Sequence, residues 1–239
     1  LKFDLTAITK NLHPHRWQST WQAMMVLLLL LSTLTAQGVD INRLRYHLLN
    51  LAGNHAENIF GEWRNLIEQS RRSNEMNALK QVNDFFNQQI KFATDIQVWK
   101  KNDYWASPMQ TLAMRRGDCE DFAIAKYFSL ITANVPEQKL RLMYVQAMIS
   151  DQIQQAHMVL AYYPTSDAEP LILDNLNTEI MPANARRDLK PIYSLKRQDS
   201  DTYKTDAQDA QVRLKEAMRQ YRMSIWEDLV KRAQAEGFD

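Results

Sequence analysis

The chain contains one cysteine, Cys119, and its neighbours are of the kinds that make a thiol reactive. Gly117 and Asp118 precede it and the apolar run Phe122-Ala123-Ile124-Ala125 follows, so the thiol falls in the first turn of a helix. Unpaired N–H groups and the positive end of the helix dipole stabilise a thiolate there. A free cysteine is most often a small buried hydrophobe. This one is flanked by Asp118, Glu120 and Asp121, and an inert core position is not normally set among three carboxylates.

A catalytic thiol needs a base that takes its proton and returns it to the leaving group. There are five histidines. His13 and His15 lie in a segment that reads as an export signal, and His47 and His55 lie in early helices where surface or capping roles are the default. His157 stands at the entrance of the apolar strand Met158-Val159-Leu160-Ala161-Tyr162. The next strand, Leu171-Ile172-Leu173, ends in Asp174, which across an antiparallel pair can lie beside His157 and fix its tautomer. Taken singly, His157 reads as a structural histidine and Asp174 as a turn aspartate. Cysteine at a helix start, histidine on one strand and aspartate on the next is a far more specific pattern.

The elements that must position these groups are legible in outline. Ser107-Pro108-Met109-Gln110 combines an N-cap serine, a proline at the first helical position and a capping-box glutamine, which predicts a short helix through Met114. Gly117 suits the left-handed residue that ends it, and Asp118 can cap the next helix, with Asp121 three residues on. That helix is expected from Cys119 to about Thr132, with Phe122, Ala125, Phe128 and Ile131 as its core stripe and Pro136 barring extension. Upstream, Asp40 to Ile90 reads as helices: Leu44, Leu48 and Leu51, then after Gly53 Ile59, Trp63 and Ile67, then Met76, Leu79, Val82, Phe86 and Ile90. Ile96 to Trp99 reads as a short extended segment. Downstream the period changes, and Leu140–Ile149, Ala156–Tyr163, Leu171–Leu173 and Ile192–Leu195 read as strands joined by short turns, hence antiparallel. Helices first and strands afterwards predict an α+β domain.

With 45% hydrophobic and 24% charged residues, 239 residues can bury a substantial core. Lys2, Lys10 and Arg16 precede an apolar run from Ala23 to Leu34, followed by Thr35-Ala36-Gln37-Gly38, which reads as a secretory signal, with an uncleaved anchor as the alternative. Loss of residues 1–38 would leave 26 basic against 27 acidic side chains, and no basic patch remains to support nucleic-acid binding. A single cysteine excludes an internal disulfide, so an exported chain would carry a free thiol. The predicted organisation is a signal or anchor over 1–38, a catalytic domain over 39–196, and over 197–239 a polar linker with a C-terminal helix packed on the domain. The linker's Asp199 and Asp201 lack the glycine and closing glutamate of an EF-hand loop. The helix carries Leu214, Met218, Tyr221, Ile225 and Leu229 as its apolar stripe.

The carboxylates have a second consequence. Nearby negative charge raises a thiol's pKa and opposes the helix dipole. A hard divalent cation held by these oxygens would cancel that field. Adjacent side chains on a helix do not share a face, so Asp118 and Asp121 are preferred over Glu120 as ligands, with backbone oxygens completing the set. The alternative leaves Asp118 as a cap and the other two solvated.

The stretch Trp105…Pro108…Gly117-Asp118-Cys119-Glu120-Asp121-Phe122-Ala123, with His157 and Asp174 following at intervals of 38 and 17 residues, resembles the central motif and residue order of the bacterial transglutaminase-like cysteine peptidases, specifically the LapG-type periplasmic proteases. The resemblance covers roughly residues 55–195. Gln110 stands where the family pattern has glutamate. The resemblance implies a papain-like, transglutaminase-like fold with Cys119, His157 and Asp174 as catalytic triad and calcium at Asp118, Glu120 and Asp121. It further implies a periplasmic endopeptidase that cuts a large surface adhesin near its N-terminus at a pair of alanines, freeing the cell from a biofilm. An inner-membrane cyclic-di-GMP receptor that sequesters the protease through its periplasmic domain is the implied partner. A transglutaminase-type acyl transferase, a catalytically inactive binding module and an arylamine acetyltransferase are the rival readings of the same residues.

Overall fold

The computed structural model describes residues 38–150, 152–195 and 210–238, with side chains from residue 216 in the last segment. The expected signal over 1–38, the linker with Asp199 and Asp201, and the Leu214 side chain lie outside these residues, apart from Gly38. The described residues from Val39 onward form one compact unit. Among the described residues no helix is long and apolar enough to cross a membrane.

Three helices come first: α1 (Ile41–Ala52), α2 (Glu57–Arg71) and α3 (Glu75–Gln89). Asp40 caps α1 through the N–H groups of Asn42 and Arg43, and Asn74 caps α3 through that of Asn77. Their buried stripes hold Leu44 and Leu48, then Ile59, Trp63 and Ile67, then Leu79, Val82 and Phe86. Leu51 and Met76, expected in the same stripes, are about half exposed, at 48% each. Both sit within a residue or two of a helix end, where the core no longer overlies them.

The segment predicted as extended is instead a short helix, α4 (Asp95–Trp99), begun by a capping box between Thr94 and Gln97. The two reciprocal cap bonds outweigh the weak strand preference of Ile96 and Val98. The predicted capping box at Ser107 is present and starts α5 (Pro108–Met114). Its C-cap is Arg115, with φ at 49°, so the left-handed residue is Arg115 and not Gly117. Gly117 belongs to a two-residue parallel pairing of β1 (Lys91–Phe92) with β2 (Arg116–Gly117).

Helix α6 (Cys119–Thr132) runs through the centre of the molecule and is buried nearly all round. Trp63 Nε1 donates to Ser129 Oγ at 2.9 Å. On another side lies a five-stranded antiparallel sheet of order β6-β5-β4-β3-β7, made of β3 (Leu140–Ser150), β4 (Ile153–Tyr162), β5 (Leu171–Leu173), β6 (Met181–Pro182) and β7 (Leu189–Leu195). Alternation divides its residues between two faces. Leu142, Tyr144, Met158 and Leu160 join the main core with α6, while Val145, Val159, Ala161 and Ile172 form a separate small cluster.

The final helix, α7 (Ala210–Glu236), buries Trp226, Leu229 and Ala233, whereas Met218 and Tyr221 of the expected stripe are exposed. Trp226 meets Tyr127 and Phe128 of α6, and Phe238, beyond the helix, meets Trp63 and Phe128. The aromatic contacts set the helix's rotation. Polar anchors add to them: Arg232 Nη2 donates to the Trp105 carbonyl at 2.8 Å, and the Ser107 hydroxyl to Glu236 at 2.5 Å. Helix α7 thereby braces the loop leading into the site.

Candidate active site

Cys119 opens α6, as its position after Gly117-Asp118 predicts. Asp118 occupies the N-cap position with extended backbone, yet its side chain makes no capping hydrogen bond. It turns elsewhere, as described below. The sulfur is buried, and it donates to Glu120 Oε2 at 2.7 Å and accepts from the Met158 backbone N–H. Burial, then the charges of Glu120 and Asp118, push the thiol well above its ordinary range. The carboxylates therefore oppose the nucleophile in the manner their number predicts.

His157 lies within β4, opposite Val145, not at the strand's entrance; four residues before it, Ile153 to Ala156, already pair with β3. The short strand β5 covers β4 only over Leu160–Tyr162. The preceding part of β4, with His157 and Met158, thus has an open edge on that side. Cys119 reaches this edge through the Met158 N–H, and Asp174 runs along it as β5 ends. His157 Nε2 and Asp174 Oδ1 are 2.7 Å apart, with side chains 2% and 0% exposed.

Asp174 is held at all three of its oxygens. Oδ1 also accepts from the N–H groups of Asn175 and Leu176, Oδ2 accepts from Arg186 Nη2 at 2.7 Å, and the carbonyl accepts from Asn87 Nδ2 and Lys126 Nζ. Burial by itself would raise the carboxyl, but His157 and Arg186 hold it well below the usual carboxylate range. An ionised Asp174 is an acceptor, so in the neutral ring it favours the tautomer that carries its proton on Nε2. Lys126 is fully buried in α6, and burial lowers its pKa to about 7. Its three acceptors, Asn83 Oδ1, Asn87 Oδ1 and the Asp174 carbonyl, match the three N–H bonds of an ammonium and favour the charged form.

Asp118 and Asp121 come together with a residue the sequence reading omitted, Asp95. One carboxylate oxygen from each lies within 4.8 Å of the others. Asp95 Oδ2 accepts from the Tyr104 N–H at 2.7 Å and Asp121 Oδ1 from the Ala106 N–H at 2.8 Å. Their other oxygens, Asp95 Oδ1 and Asp121 Oδ2, are buried without a hydrogen-bond partner. Burial first, and then the charge of neighbouring carboxylates, Glu120 among them, push Asp95 up to about 6, Asp118 to about 9 and Asp121 well up. Three carboxylates gathered at one point, two of them with an unpartnered buried oxygen, fit a divalent cation. Glu120, grouped with Asp118 and Asp121 by the sequence, borders this cluster through Asp118 but faces the Cys119 sulfur and Arg222, 3.4 Å from Nη1. No local signal marks Asp95, since a carboxylate from α4 joins α6 only through the fold.

Gly117 is needed here for space. A Cβ at that position would lie 2.5 Å from Asp121 Oδ2 and 2.6 Å from its Cβ. Gly117→Ala is therefore expected to cost about 1–3 kcal/mol, the range for overpacking a filled interior, and to displace the Asp121 carboxylate. Thermal melting with and without calcium checks both parts: a lower Tm and a smaller calcium-induced rise are expected.

The sequence model of the bacterial transglutaminase-like cysteine proteinases (BTLCP) matches residues 56–207. The chain belongs to this family. Cys119, His157 and Asp174 lie inside the matched region, and the chain is a cysteine proteinase of LapG-type architecture. It is 35% identical to Legionella pneumophila LapG over 82% of this chain and 98% of that one, with a TM-score of 0.65. The calcium-bound form of that protein gives 34% identity over 81% and 99%, with a TM-score of 0.62. Its EGTA-treated form gives 39% over 66% and 83%, with a TM-score of 0.58. No curated protein is significantly similar in sequence. The family region stops short of α7, so the contacts of Arg222 and Arg232 come from outside it.

Proposed function

We propose that this proteinase is a calcium-dependent periplasmic endopeptidase that cuts a large surface adhesin near its N-terminus between two alanines and so releases it. Cys119 is the nucleophile, His157 the general base and Asp174 the residue that orients it. Nδ1 of His157 takes the Cys119 proton, and the thiolate attacks the scissile carbonyl. The imidazolium then protonates the departing amine, and water, deprotonated by His157, hydrolyses the thioester and restores the thiol. Asp95, Asp118 and Asp121, with Glu120 at their border, are the residues that would hold calcium; its charge would offset the carboxylates that disfavour the thiolate.

The observation that carries this reading is the buried His157–Asp174 pair at 2.7 Å, with the sulfur of Cys119 accepting from the N–H of the residue after His157, Met158. Similarity to LapG across nearly that protein's whole length supports the adhesin substrate, and the calcium-bound form of that relative supports the ion. Periplasmic location, cleavage or retention of the N-terminal segment, and sequestration by an inner-membrane cyclic-di-GMP receptor belong to the same proposal. So does the division into a 1–38 signal or anchor, a 39–196 catalytic domain and a 197–239 tail.

Incubation of residues 39–239 with envelope proteins of the source cell, in calcium and in the presence of a primary amine, tests the proposal. The expected product is one large surface protein shortened near its N-terminus, with a new terminus between two alanines. Incorporation of the amine without chain cleavage would establish acyl transfer instead.

A further inference from the structure

Arg186 lies outside every motif that marks the site, yet its side chain is 2% exposed and touches the acid of the triad. It follows a short helical turn, Ala183–Ala185, on the segment between β6 and β7. Nη2 lies 2.7 Å from Asp174 Oδ2, the oxygen that His157 does not use. The guanidinium is itself clamped by Asp188: Nε donates to Oδ1 at 3.0 Å and Nη2 to Oδ2 at 2.7 Å. Asp188 in turn is tied to the sheet, because its carbonyl accepts from the Met148 N–H at 2.8 Å.

Oδ1 of Asp174 is held by His157 and by the Asn175 and Leu176 N–H groups, whereas among the described residues Oδ2 has Arg186 alone to fix its side of the last torsion, which is broad for aspartate. A planar guanidinium whose fork is fixed on Asp188 presents one N–H of Nη2 to that oxygen in a set direction, which a flexible ammonium does not. Burying an arginine beside a catalytic acid has no packing rationale, since an apolar side chain would fill the same space at lower desolvation cost. We infer that Arg186 is a positioning residue for catalysis, which locks the Asp174 carboxylate in the plane and charge state that orient His157, with Asp188 as its own anchor. The inference rests on Cys119, His157 and Asp174 acting as proposed above.

The charges around Asp174 determine the pH signature. They are His157 from β4, Arg186 and Asp188 from the β6–β7 segment, and Lys126 from α6, with Asp84 of α3 acting on Lys126. Removing the Arg186 charge leaves more of the Asp174 charge to hold a proton on His157 and also makes Asp174 easier to protonate. Both effects move the acid limb of the activity profile to higher pH.

The experiment compares kcat, KM and the pH profile of wild type with Arg186→Met, Arg186→Lys, Asp188→Asn and Asp174→Asn in the calcium-loaded protein. Arg186→Met is expected to lower kcat by about 10–100-fold, the range for groups that orient a reactive side chain, with KM little changed. Its acid limb should move up by about one pH unit. Arg186→Lys should restore the limb but only part of kcat, and Asp188→Asn should show a smaller loss of the same kind. Asp188 has a side chain 43% exposed, so its variant keeps the test open if Arg186→Met does not fold. Arg186 also borders a cavity of about 130 Å³ on the sheet face away from α6, walled by Val145, Val159, Ile172 and Pro191. Guanidinium ion admitted there should raise the kcat of Arg186→Ala in a saturable way. Unchanged kcat and pH profile in folded Arg186→Met, with Asp174→Asn inactive, would overturn the role of Arg186 alone. Full activity in Asp174→Asn would overturn the triad on which it rests.

Discussion

Cys119→Ala is expected to abolish peptide-bond cleavage, by about 10⁴-fold or more, while the protein stays folded with nearly its original Tm. The loss is large because the sulfur forms the covalent intermediate, and no other cysteine exists to replace it. The fold survives because alanine has similar bulk at a helix start, and the change also releases Glu120 from a thiol contact of 2.7 Å. His157→Ala should be equally inactive. Asp174→Ala should retain at most slight activity, and it should also be less stable, because Arg186 would be left buried beside no carboxylate except Asp188. Circular dichroism and a peptide cleavage assay on the same preparations separate the two effects. Normal turnover in any of the three variants would remove that residue from the reaction.

The second large effect is expected from the cation. Chelation should silence the enzyme, and calcium should restore it. Asp95 Oδ1 and Asp121 Oδ2, buried without a hydrogen-bond partner, would lose their compensation with the ion. Calcium at a hundredfold excess over its Kd should stabilise the folded state by about 2.7 kcal/mol. For a chain of this size that corresponds to a rise in Tm of about 5–10 °C. Asp95→Asn and Asp121→Asn should each abolish the rise. Asp95 is the more telling of the two, since it is distant in sequence from the cysteine motif and joins it only in space. A chelator-treated enzyme of unchanged activity and unchanged Tm would exclude the site.

The parts of this arrangement that local chemistry dictates were readable in the chain. The capping box at Ser107 and the helix from Cys119 to Thr132 follow from residues within four positions of one another, and both are present as expected. The order of helices and antiparallel strands followed from the change in apolar period near Leu140. The pairing of His157 with Asp174 required only that two adjacent strands run antiparallel. Other features depended on partners far away in the chain. Gly117 read as a helix terminator, but the terminator is Arg115, and glycine is required because Asp121 packs against it. Asp118 has the sequence context of a cap, yet its carboxylate joins Asp95 and Asp121. Ile96 to Trp99 has strand-forming residues, but Thr94 and Gln97 close a capping box around them. Tyr221 and Met218 fit a helical stripe, and only the positions of Tyr127 and Phe128 decide that Trp226 faces inward instead. Arg186 carried no local signal, because its meaning resides in a contact with Asp174, twelve residues earlier.

The central claim is that proteolysis proceeds through Cys119 with His157 as its base, and alkylation tests it most directly. Because the chain has a single thiol, the intact mass after timed exposure to iodoacetamide reports modification of Cys119 alone. In the calcium-loaded protein, residual cleavage activity is expected to fall in proportion to the alkylated fraction, and His157→Ala should be alkylated more slowly at neutral pH. Fully alkylated protein that still cleaves its substrate at the normal rate would contradict the account.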